Sequence, residues 1–332
     1  MWYEKLIGCE EVSSTYVRKN IEIKGNKLIS KVNGKSYQFG KLEVPTLKEL
    51  KEYSFSKTSL KGKIKIGELI GNVQEYHMDS ENKNAVFQAA SQFNLLEMVG
   101  PDVTPEKGVS IYAFDHTQGP ACAIACGAGT IYRNYFAEVN NKIGQTYDNQ
   151  IDCLDLIGEE LGNSENQFWE MKNGYVITTE EKLQQINQKL KDLNQTEREE
   201  LKDKLKVGIQ WNTEVTIANS EQIVSQVYCS ALPVAYSFLS EETWELFARI
   251  VLEATYEATF YAALQNFEKT GCNKLFLTLV GGGAFGNKME WIMESIEKVL
   301  KKFENTSLEV NFISYGKSKV EVQNLIYKFS YK

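Results

Sequence analysis

Residues 275–287 read LFLTLVGGGAFGN, and this is the most informative stretch of the chain. The apolar run predicts a buried strand over residues 274–280, three consecutive glycines follow it, and the pattern after them predicts a helix over residues 287–303. Glycines let backbone N–H groups approach a ligand closely, and a helix N-terminus favours an anion. We therefore predict a phosphate-binding loop. The alternative is a tight strand-to-helix turn that needs several residues of positive φ.

The same loop matches the GxGxxG pattern of dinucleotide-binding domains through Gly281, Gly283 and Gly286. That pattern normally opens a nucleotide domain and is followed by several βα units. Here the residues after Gly286 suffice for only one helix and one strand, which disfavours a nicotinamide-dependent oxidoreductase. No Gly-Lys-Ser/Thr closes the loop, so the P-loop is excluded as well. A phosphate loop on the penultimate strand requires a different fold.

Composition restricts the class of protein further. The chain has 332 residues, of which 42% are hydrophobic and 24% are charged, as in an ordinary globular protein. Its net charge of −7 provides no broad surface for nucleic acid. With no CxxC pair and only two histidines, we predict neither a metal centre nor a cofactor. Scattered cysteines indicate reduced thiols of an intracellular protein, which we place in the cytoplasm, with the nucleus left open.

No segment of the chain is predicted to cross a membrane. The N-terminus lacks the apolar core of a signal peptide. Residues 246–264 are the best candidate for a membrane span, but Arg249, Glu253 and Glu257 follow one another at four-residue steps. This spacing predicts an amphipathic core helix instead.

The order of the predicted elements indicates an α/β protein with three layers, α/β/α, around a mixed central sheet. Predicted strands at residues 63–68, 85–90, 109–114, 223–229, 274–280 and 308–314 alternate with helices, and the small-residue segment 119–136 is predicted to contain a helix packed closely on the sheet. Residues 1–60 read as a β-rich N-terminal extension, with a hairpin turn at Asn33-Gly34 and a capping box at Thr46. Residues 61–332 form one domain.

Residues 165–212 are interpreted as a helical insertion. Patterns at residues 178–181 and 196–199 can cap two helices, and leucines at three-four spacing give each helix an apolar face. We favour a solvated charged excursion over an arm that binds a partner.

Several segments resemble the macrodomain superfamily. Residues 281–286 resemble its second phosphate loop, and the helices and strand around them occur in the same order. Residues 66–69, IGEL, resemble the Gly-Asp-Ile element, whose acid meets the adenine amine. Residues 86–91, VFQAAS, resemble the strand that ends in Asn-Ala-Ala-Asn near the distal ribose, with Gln88 and Ser91 in place of the asparagines.

Three longer stretches are similar to a narrower branch, the divergent MavL-like macrodomain hydrolases. They are QAASQFNLLEM at residues 88–98, YAFDHTQGPACAIACGAGTIYRNYF at residues 112–136, and VGGGAFGN at residues 280–287. The resemblance implies a macrodomain-like fold and an enzyme that removes ADP-ribose from arginine, notably on ubiquitin. It also implies two binding partners, ADP-ribose and an ADP-ribosylated protein.

Hydrolysis of an N-glycosidic ribose bond needs an activated water and a group that stabilises an oxocarbenium-like transition state, and carboxylates serve both tasks. Asp115 is the first candidate, because it follows the predicted strand 109–114 at the edge where open α/β sheets bind ligands. Its alternative role is to cap a turn or a helix. Glu97 and Asp102 are further catalytic candidates, although an acid after a strand is often only solvated.

The remaining candidates would bind ADP-ribose. The segment 127–130 could form the opposite wall of a diphosphate site or could only pack a helix on the sheet. Phe285 could pack on a ribose, Asn94 could bind a sugar or a guanidinium, and Phe312 and Tyr315 are weak candidates for stacking on adenine. The predicted binding residues are Glu68, Gln88, Ser91, Asn94, Gly127, Ala128, Gly129, Thr130, Gly281, Gly282, Gly283, Ala284, Phe285, Gly286 and Asn287.

Together with the resemblance, these residues imply an ADP-ribosyl hydrolase, and a non-catalytic ADP-ribose reader is the alternative. Both need the glycine-rich segments, but only the enzyme needs an acid beside the distal ribose.

Overall fold

The computed structural model describes residues 1–57, 61–217 and 222–330. The strands are β1 (Ile21–Lys24), β2 (Lys27–Ser30), β3 (Ser36–Gln38), β4 (Lys41–Glu43), β5 (Lys65–Ile70), β6 (Val86–Ala90), β7 (Glu138–Val139), β8 (Lys142–Ile143), β9 (Glu170–Lys172), β10 (Tyr175–Ile177), β11 (Gly208–Glu214), β12 (Ile223–Cys229), β13 (Lys274–Leu277) and β14 (Glu309–Ser314).

The α-helices are α1 (Trp2–Ile7), α2 (Ser14–Asn20), α3 (Leu47–Lys57), α4 (Val73–Met78), α5 (Gln118–Ala125), α6 (Gly127–Tyr135), α7 (Asp155–Leu161), α8 (Glu180–Asp192), α9 (Gln195–Asp203), α10 (Glu241–Thr270), α11 (Met289–Lys302) and α12 (Val320–Ser330). Short 3-10 helices cover Ser80–Asn82, Pro105–Lys107, Ser110–Phe114, Ser164–Asn166 and Val234–Tyr236.

Seven of the described strands form the central sheet, in the order β4-β11-β12-β6-β13-β14-β5. The last five in that order run parallel, β11 runs antiparallel to β12, and β4 at the edge runs antiparallel to β11. Strand β13 therefore lies between β6 and β14, and all three end at the same edge of the sheet. This edge is where open α/β sheets place their ligands.

Helices cover both faces of the sheet. The ring of Phe87 stacks on His77 of α4, with centroids 3.8 Å apart. The next residue of β6, Gln88, donates from Nε2 to Thr259 Oγ1 of α10 at 2.9 Å. Neighbouring residues of a strand point to opposite faces, so α4 and α10 lie on opposite sides. The predicted three-layer fold with a mixed central sheet is confirmed.

The predicted strand at residues 109–114 is wrong, because Ser110–Phe114 is a 3-10 helix. Val109 and Tyr112, three residues apart, are the buried positions, and the Tyr112 N–H donates to the Val109 carbonyl. A spacing of three suits a 3-10 turn, whereas a strand needs a spacing of two.

The segment 119–136, predicted to contain a helix, holds two helices, α5 and α6. The helical conformation is interrupted at Cys126, where φ is −114° and ψ is 59°. Thr216 Oγ1 then accepts the Gly127 N–H at 2.9 Å, so the start of α6 is tied to the segment after β11.

The N-terminal extension packs into the main fold. Its strand β4 pairs with β11 in the central sheet, and α3 packs on α10. The capping box at the start of α3 is confirmed, since Thr46 and Glu49 each accept the other's backbone N–H. A second hydrophobic cluster joins residues of α1, α2 and β2 to Leu96, Met98 and Tyr112. The domain boundary at residue 60 stays a prediction.

The two helices predicted within residues 165–212 are present as α8 and α9, but they are not a solvated excursion. Leu183, Ile186 and Leu190 of α8 are fully buried, and α8 packs on α10. Helix α9 begins with a capping box between Asn194 and Glu197, earlier than the predicted pattern at residues 196–199. Strand β11 belongs to the central sheet, so the main fold resumes before residue 212.

The long helix α10 is a core element, as the sequence predicts. Its charged face forms ion pairs, among them Glu257 with Lys51 at 3.0 Å and Arg249 with Glu294 at 2.5 Å. Within the described ranges, none of the helices combines the length and the apolar character that crossing a bilayer requires.

Candidate active site

A cavity of about 320 Å³ opens at the carboxyl ends of β6, β12, β13 and β14. Its walls come from the segments that follow these strands and from the turn before α5. Residues of β10 and α11, and the residue directly before α12, complete them. The lining residues are Ala90, Ser91, Gln92, Glu97, Met98, Val99, Asp115, Thr117, Gln118, Gly119, Tyr175, Ala231, Tyr236, Thr278, Leu279, Val280, Gly281, Gly282, Gly283, Ala284, Phe285, Met289, Ile313, Tyr315 and Lys319.

The glycine-rich loop after β13 forms one wall. Strand β13 ends earlier than predicted because Tyr256 of α10 takes over the next backbone groups. Its hydroxyl accepts the Val280 N–H at 2.9 Å and donates to the Thr278 carbonyl at 3.1 Å. The chain is thereby turned toward the cavity, and residues 278–285 all line it.

The loop offers free backbone donors. Within the described residues, the N–H groups of Gly283, Ala284 and Phe285 have no hydrogen-bond partner. Gly281 and Gly286 have φ of 80° and 70°, so a tight turn explains these two glycines. Gly282 and Gly283 lack positive φ, and a Cβ on Gly283 would meet no atom within 4 Å. Conformation therefore does not explain Gly283, whereas the approach of a ligand would.

Asn287 holds the loop and does not line the cavity. Its Nδ2 donates to the Leu232 carbonyl at 2.8 Å, and its backbone N–H donates to the Gly281 carbonyl at 2.9 Å. Gly286 is likewise outside the lining. Of the predicted phosphate-loop residues, Gly281, Gly282, Gly283, Ala284 and Phe285 line the cavity.

Residues 117–119, at the start of α5, form the facing wall. Gly119 is required there, because a Cβ would lie 2.1 Å from the Ala90 carbonyl oxygen and 2.4 Å from Glu97 Oε2. The backbone of α5 can thus touch both β6 and the Glu97 carboxyl group. We did not predict this close approach. Its trace in the sequence is the glycine at the start of α5, within Gln118-Gly119-Pro120.

Residues 127–130, for which the sequence left a binding wall and helix packing open, do not form a wall of this cavity. Gly127, Ala128, Gly129 and Thr130 are all buried in α6 and lie outside the cavity. A Cβ on Gly129 would lie 3.0 Å from side-chain atoms of Gln210 and Thr213 in β11. These small residues pack α6 on the sheet, which is the alternative that the sequence left open.

Glu97 is a buried carboxyl group that faces the cavity. It is 5% exposed, and its Oε1 has no hydrogen-bond partner within the described ranges. Burial raises the pKa of Glu97 well above its usual range, the Asp115 charge raises it further, and the Arg133 guanidinium opposes both effects. This environment favours the protonated acid, which can donate a proton.

Arg133 is an unpredicted part of the site's electrostatics. It is 1% exposed, donates from Nη2 to Thr130 Oγ1 at 3.0 Å, and lies over the Tyr228 ring at 3.6 Å. It does not line the cavity. Its positive charge therefore acts on Glu97 from outside the cavity lining.

Asp115 lines the same cavity as Glu97 and is half-buried. Its Oδ1 accepts the Thr117 N–H at 2.8 Å, so the predicted turn-capping role is also present. Asp102 is separated from both acids, because its side chain is 84% exposed, pairs with Lys172 and lies outside the cavity. The structure brings together two of the three predicted catalytic acids.

Three predicted binding residues are engaged elsewhere. Glu68 accepts hydrogen bonds from Ser314, Ser318, Gln323 and the Lys319 N–H. Burial alone would raise the pKa of Glu68, but these four bonds lower it below its usual value. Gln88 lies in the sheet core against α10, and Asn94, fully buried, donates to Gln150 Oε1 at 2.8 Å. None of the three lines the cavity, whereas Ser91 does.

Aromatic rings form another part of the lining. Tyr175, Tyr236 and Phe285 make mutual contacts with centroids 5.0 to 5.6 Å apart. Tyr175 and Tyr236 were missed, since each belongs to a segment with no local sign of ligand binding. Tyr315 lines the cavity and is 79% exposed, whereas Phe312 is buried in the core.

Fold and cavity define a three-layer α/β/α protein in which a glycine-rich loop with free N–H groups faces a buried carboxyl group. No protein-family model matches the chain, and no curated protein matches it.

Among solved structures, poly(ADP-ribose) glycohydrolase from Thermomonospora curvata aligns with 9% identity over 95% of both chains, with a TM-score of 0.48. The same enzyme bound to the inhibitor ADP-HPD has 10% identity over 95% of both chains and a TM-score of 0.47. Poly(ADP-ribose) glycohydrolase from Deinococcus radiodurans, in complex with ADP-ribose, has 8% identity over 86% of this chain and 90% of that chain, with a TM-score of 0.43.

Proposed function

We propose that this chain is an ADP-ribosyl hydrolase that removes ADP-ribose from a modified arginine side chain. The observation that carries the proposal is the pairing, in one cavity, of the free N–H groups of residues 283–285 with the buried carboxyl group of Glu97. The first feature suits a phosphate and the second suits proton transfer. The MavL-like sequence resemblance supports the choice of ADP-ribose as the ligand and of arginine as its attachment point.

The diphosphate would lie between the glycine-rich loop and the start of α5. Backbone N–H groups there can bind an anion through hydrogen bonds without a charged side chain. The N-terminus of α5 adds the favourable end of its helix dipole. Phe285, Tyr175 and Tyr236 supply apolar surface against which a sugar or a base can pack. Binding of this kind would hold the glycosidic carbon near the two acids.

Glu97 and Asp115 would share the chemistry. Glu97 donates its proton to the leaving nitrogen as the C1–N bond breaks, and Asp115 accepts a proton from the water that attacks C1. The products are ADP-ribose and unmodified arginine. A guanidine is a poor leaving group, so a protonated acid in contact with it matters more than it would for an ester.

The test is incubation with arginine-ADP-ribosylated ubiquitin and, in parallel, with a glutamate-ADP-ribosylated protein, followed by measurement of free ADP-ribose. We expect release from arginine and none from glutamate. ADP-ribose binding without release from either substrate would make the protein a reader instead of an enzyme. Absence of binding at millimolar ADP-ribose would contradict both functions.

A further inference from the structure

The two acids of the cavity come from separate loops, and both loops meet at one side chain. Glu97 belongs to the loop after β6, whereas Asp115 follows the 3-10 helix Ser110–Phe114. Proton donation and water activation on one bond require a defined distance between the two carboxyl groups. The residue that connects the loops therefore bears on catalysis.

Tyr112 is that residue. Its hydroxyl oxygen accepts the Glu97 N–H at 2.9 Å, and its backbone carbonyl accepts the Asp115 N–H at 3.2 Å. The side chain is 1% exposed and packs in the second hydrophobic cluster with Leu96 and Met98, the two neighbours of Glu97. Its ring and its two oxygens thus fix both acids from one buried position.

The N-terminal extension anchors the turn that carries Tyr112. Glu11 Oε1 accepts the Val109 N–H at 2.9 Å and the Tyr135 hydroxyl at 2.7 Å, and Oε2 accepts the Ser110 N–H at 2.7 Å. These bonds hold the first turn of the 3-10 helix against α6. Because the Glu11 carboxyl group accepts three hydrogen bonds from two segments, it ties the 3-10 helix to α6.

We propose that Tyr112 is a positioning residue that sets the separation of Glu97 and Asp115, and that Glu11 of the N-terminal extension holds Tyr112 in place. The inference rests on the proposed hydrolase function. The N-terminal extension thereby has a role in catalysis, because Glu11 orients the two acids through Tyr112 without lining the cavity.

Tyr112→Phe tests the proposal, because it removes the hydroxyl and keeps the ring. Tyr3→Phe is the matched control, since Tyr3 is a buried tyrosine of the same cluster whose hydroxyl has no hydrogen-bond partner in the described part of the chain. A misplacement of about 1 Å can cost about 10²-fold in rate, so we expect kcat of Tyr112→Phe to fall by up to about 10²-fold. KM and ADP-ribose affinity should stay near wild type, and Tyr3→Phe should behave as wild type.

Glu11→Gln provides a second variant that decides the question if Tyr112→Phe does not fold. It should also lower kcat more than it changes KM. Wild-type kcat in a folded Tyr112→Phe or, failing that, in Glu11→Gln would overturn the inference and leave the proposed function intact. A wild-type protein that releases no ADP-ribose from any substrate would overturn the proposed function and this inference with it.

Discussion

Glu97 and Asp102 lie in the same loop after β6, but their surroundings are opposite. Glu97 is 5% exposed beneath Gly119 and faces the cavity, whereas the Asp102 side chain is 84% exposed beside Lys172. Burial disfavours the charged form of a carboxyl group, and exposure leaves it solvated. Of these two residues, Glu97 alone has the environment of a catalytic acid.

The first prediction concerns the three acids. Glu97→Gln and Asp115→Asn keep shape and most hydrogen bonding but cannot transfer a proton, so each should lower kcat by about 10² to 10⁴-fold. ADP-ribose affinity should remain near wild type, because the lost interaction acts mainly in the transition state. Steady-state release from arginine-ADP-ribosylated protein and calorimetry with ADP-ribose measure the two quantities.

Asp102→Asn is the control for this experiment, since Asp102 lies outside the cavity. It should leave kcat unchanged. If Asp115→Asn turned over substrate normally, the function of Asp115 would be limited to the turn that it forms with Thr117. Loss of binding together with activity would place the residue in ligand binding or folding.

The second prediction concerns pH and His77. Its ring is fully buried between Val73 and Gln226, and burial lowers the pKa of His77 to about 4. The unfolded chain, with a histidine pKa of about 6.5, binds more protons between these two values. The free energy of unfolding should therefore fall as pH drops from 6.5 to 4, by about 3 kcal/mol for this residue.

His77→Gln removes the titrating group and keeps an amide that can bond to the same neighbours. Urea unfolding at several pH values between 4 and 7 should give a shallower pH dependence for His77→Gln than for wild type. Equal slopes for both proteins would contradict a protonation penalty at His77.

At the scale of elements, the loop after β13 combines a conformational and a ligand-binding use of glycine. The third prediction is that Gly283→Val folds normally, because its side chain enters open space, but binds ADP-ribose far more weakly. Gly100→Val is the matched control, since it also has open space around the new side chain and lies outside the lining. Calorimetry on both variants measures affinity, and wild-type affinity in folded Gly283→Val would rule out this loop as the phosphate site.

The fourth prediction concerns the helical hairpin α8–α9. Leu190 is fully buried on the face of α8 that packs on α10, whereas Gln185 is exposed. Leu190→Ala should lower the free energy of unfolding by about 2–5 kcal/mol. Gln185→Ala should change it by no more than about 0.5 kcal/mol. Urea denaturation distinguishes this packed helix from a solvated excursion, for which the two variants would behave alike.

At the scale of the whole molecule, the cavity joins segments from most of the chain, so a ligand there should stabilise the entire fold. The fifth prediction is that ADP-ribose at 100 times its Kd adds about 2.7 kcal/mol to the free energy of unfolding, if it binds only the folded state. NADH is the comparison ligand, because an oxidoreductase would respond to it. Thermal and urea unfolding with each ligand measure the effect, and stabilisation by NADH alone would contradict the proposed site.

Much of the fold follows from local sequence patterns. Strand β12 occupies residues 223–229 as predicted, and the capping box of Thr46 and Glu49 starts α3. The long helix α10 and the glycine-rich loop also lie where their patterns place them. Apolar periodicity, caps and turn residues act between neighbours in the chain, so the sequence alone expresses them.

The pairing of the acids was decided by tertiary structure alone. Glu97 differs from Asp102 because Tyr112 and Gly119, which belong to other segments, pack against Glu97 and leave Asp102 exposed. The same holds for residues 127–130, whose helix α6 packs on β11 through Gly129, and for Tyr175, which reaches the cavity from β10. Burial and hydrogen-bond partners come from residues far away in the chain, and no pattern within a short window contains them. The sequence by itself determined the strand, loop and helix that can hold an anion, whereas only packing determined which carboxyl group faces it.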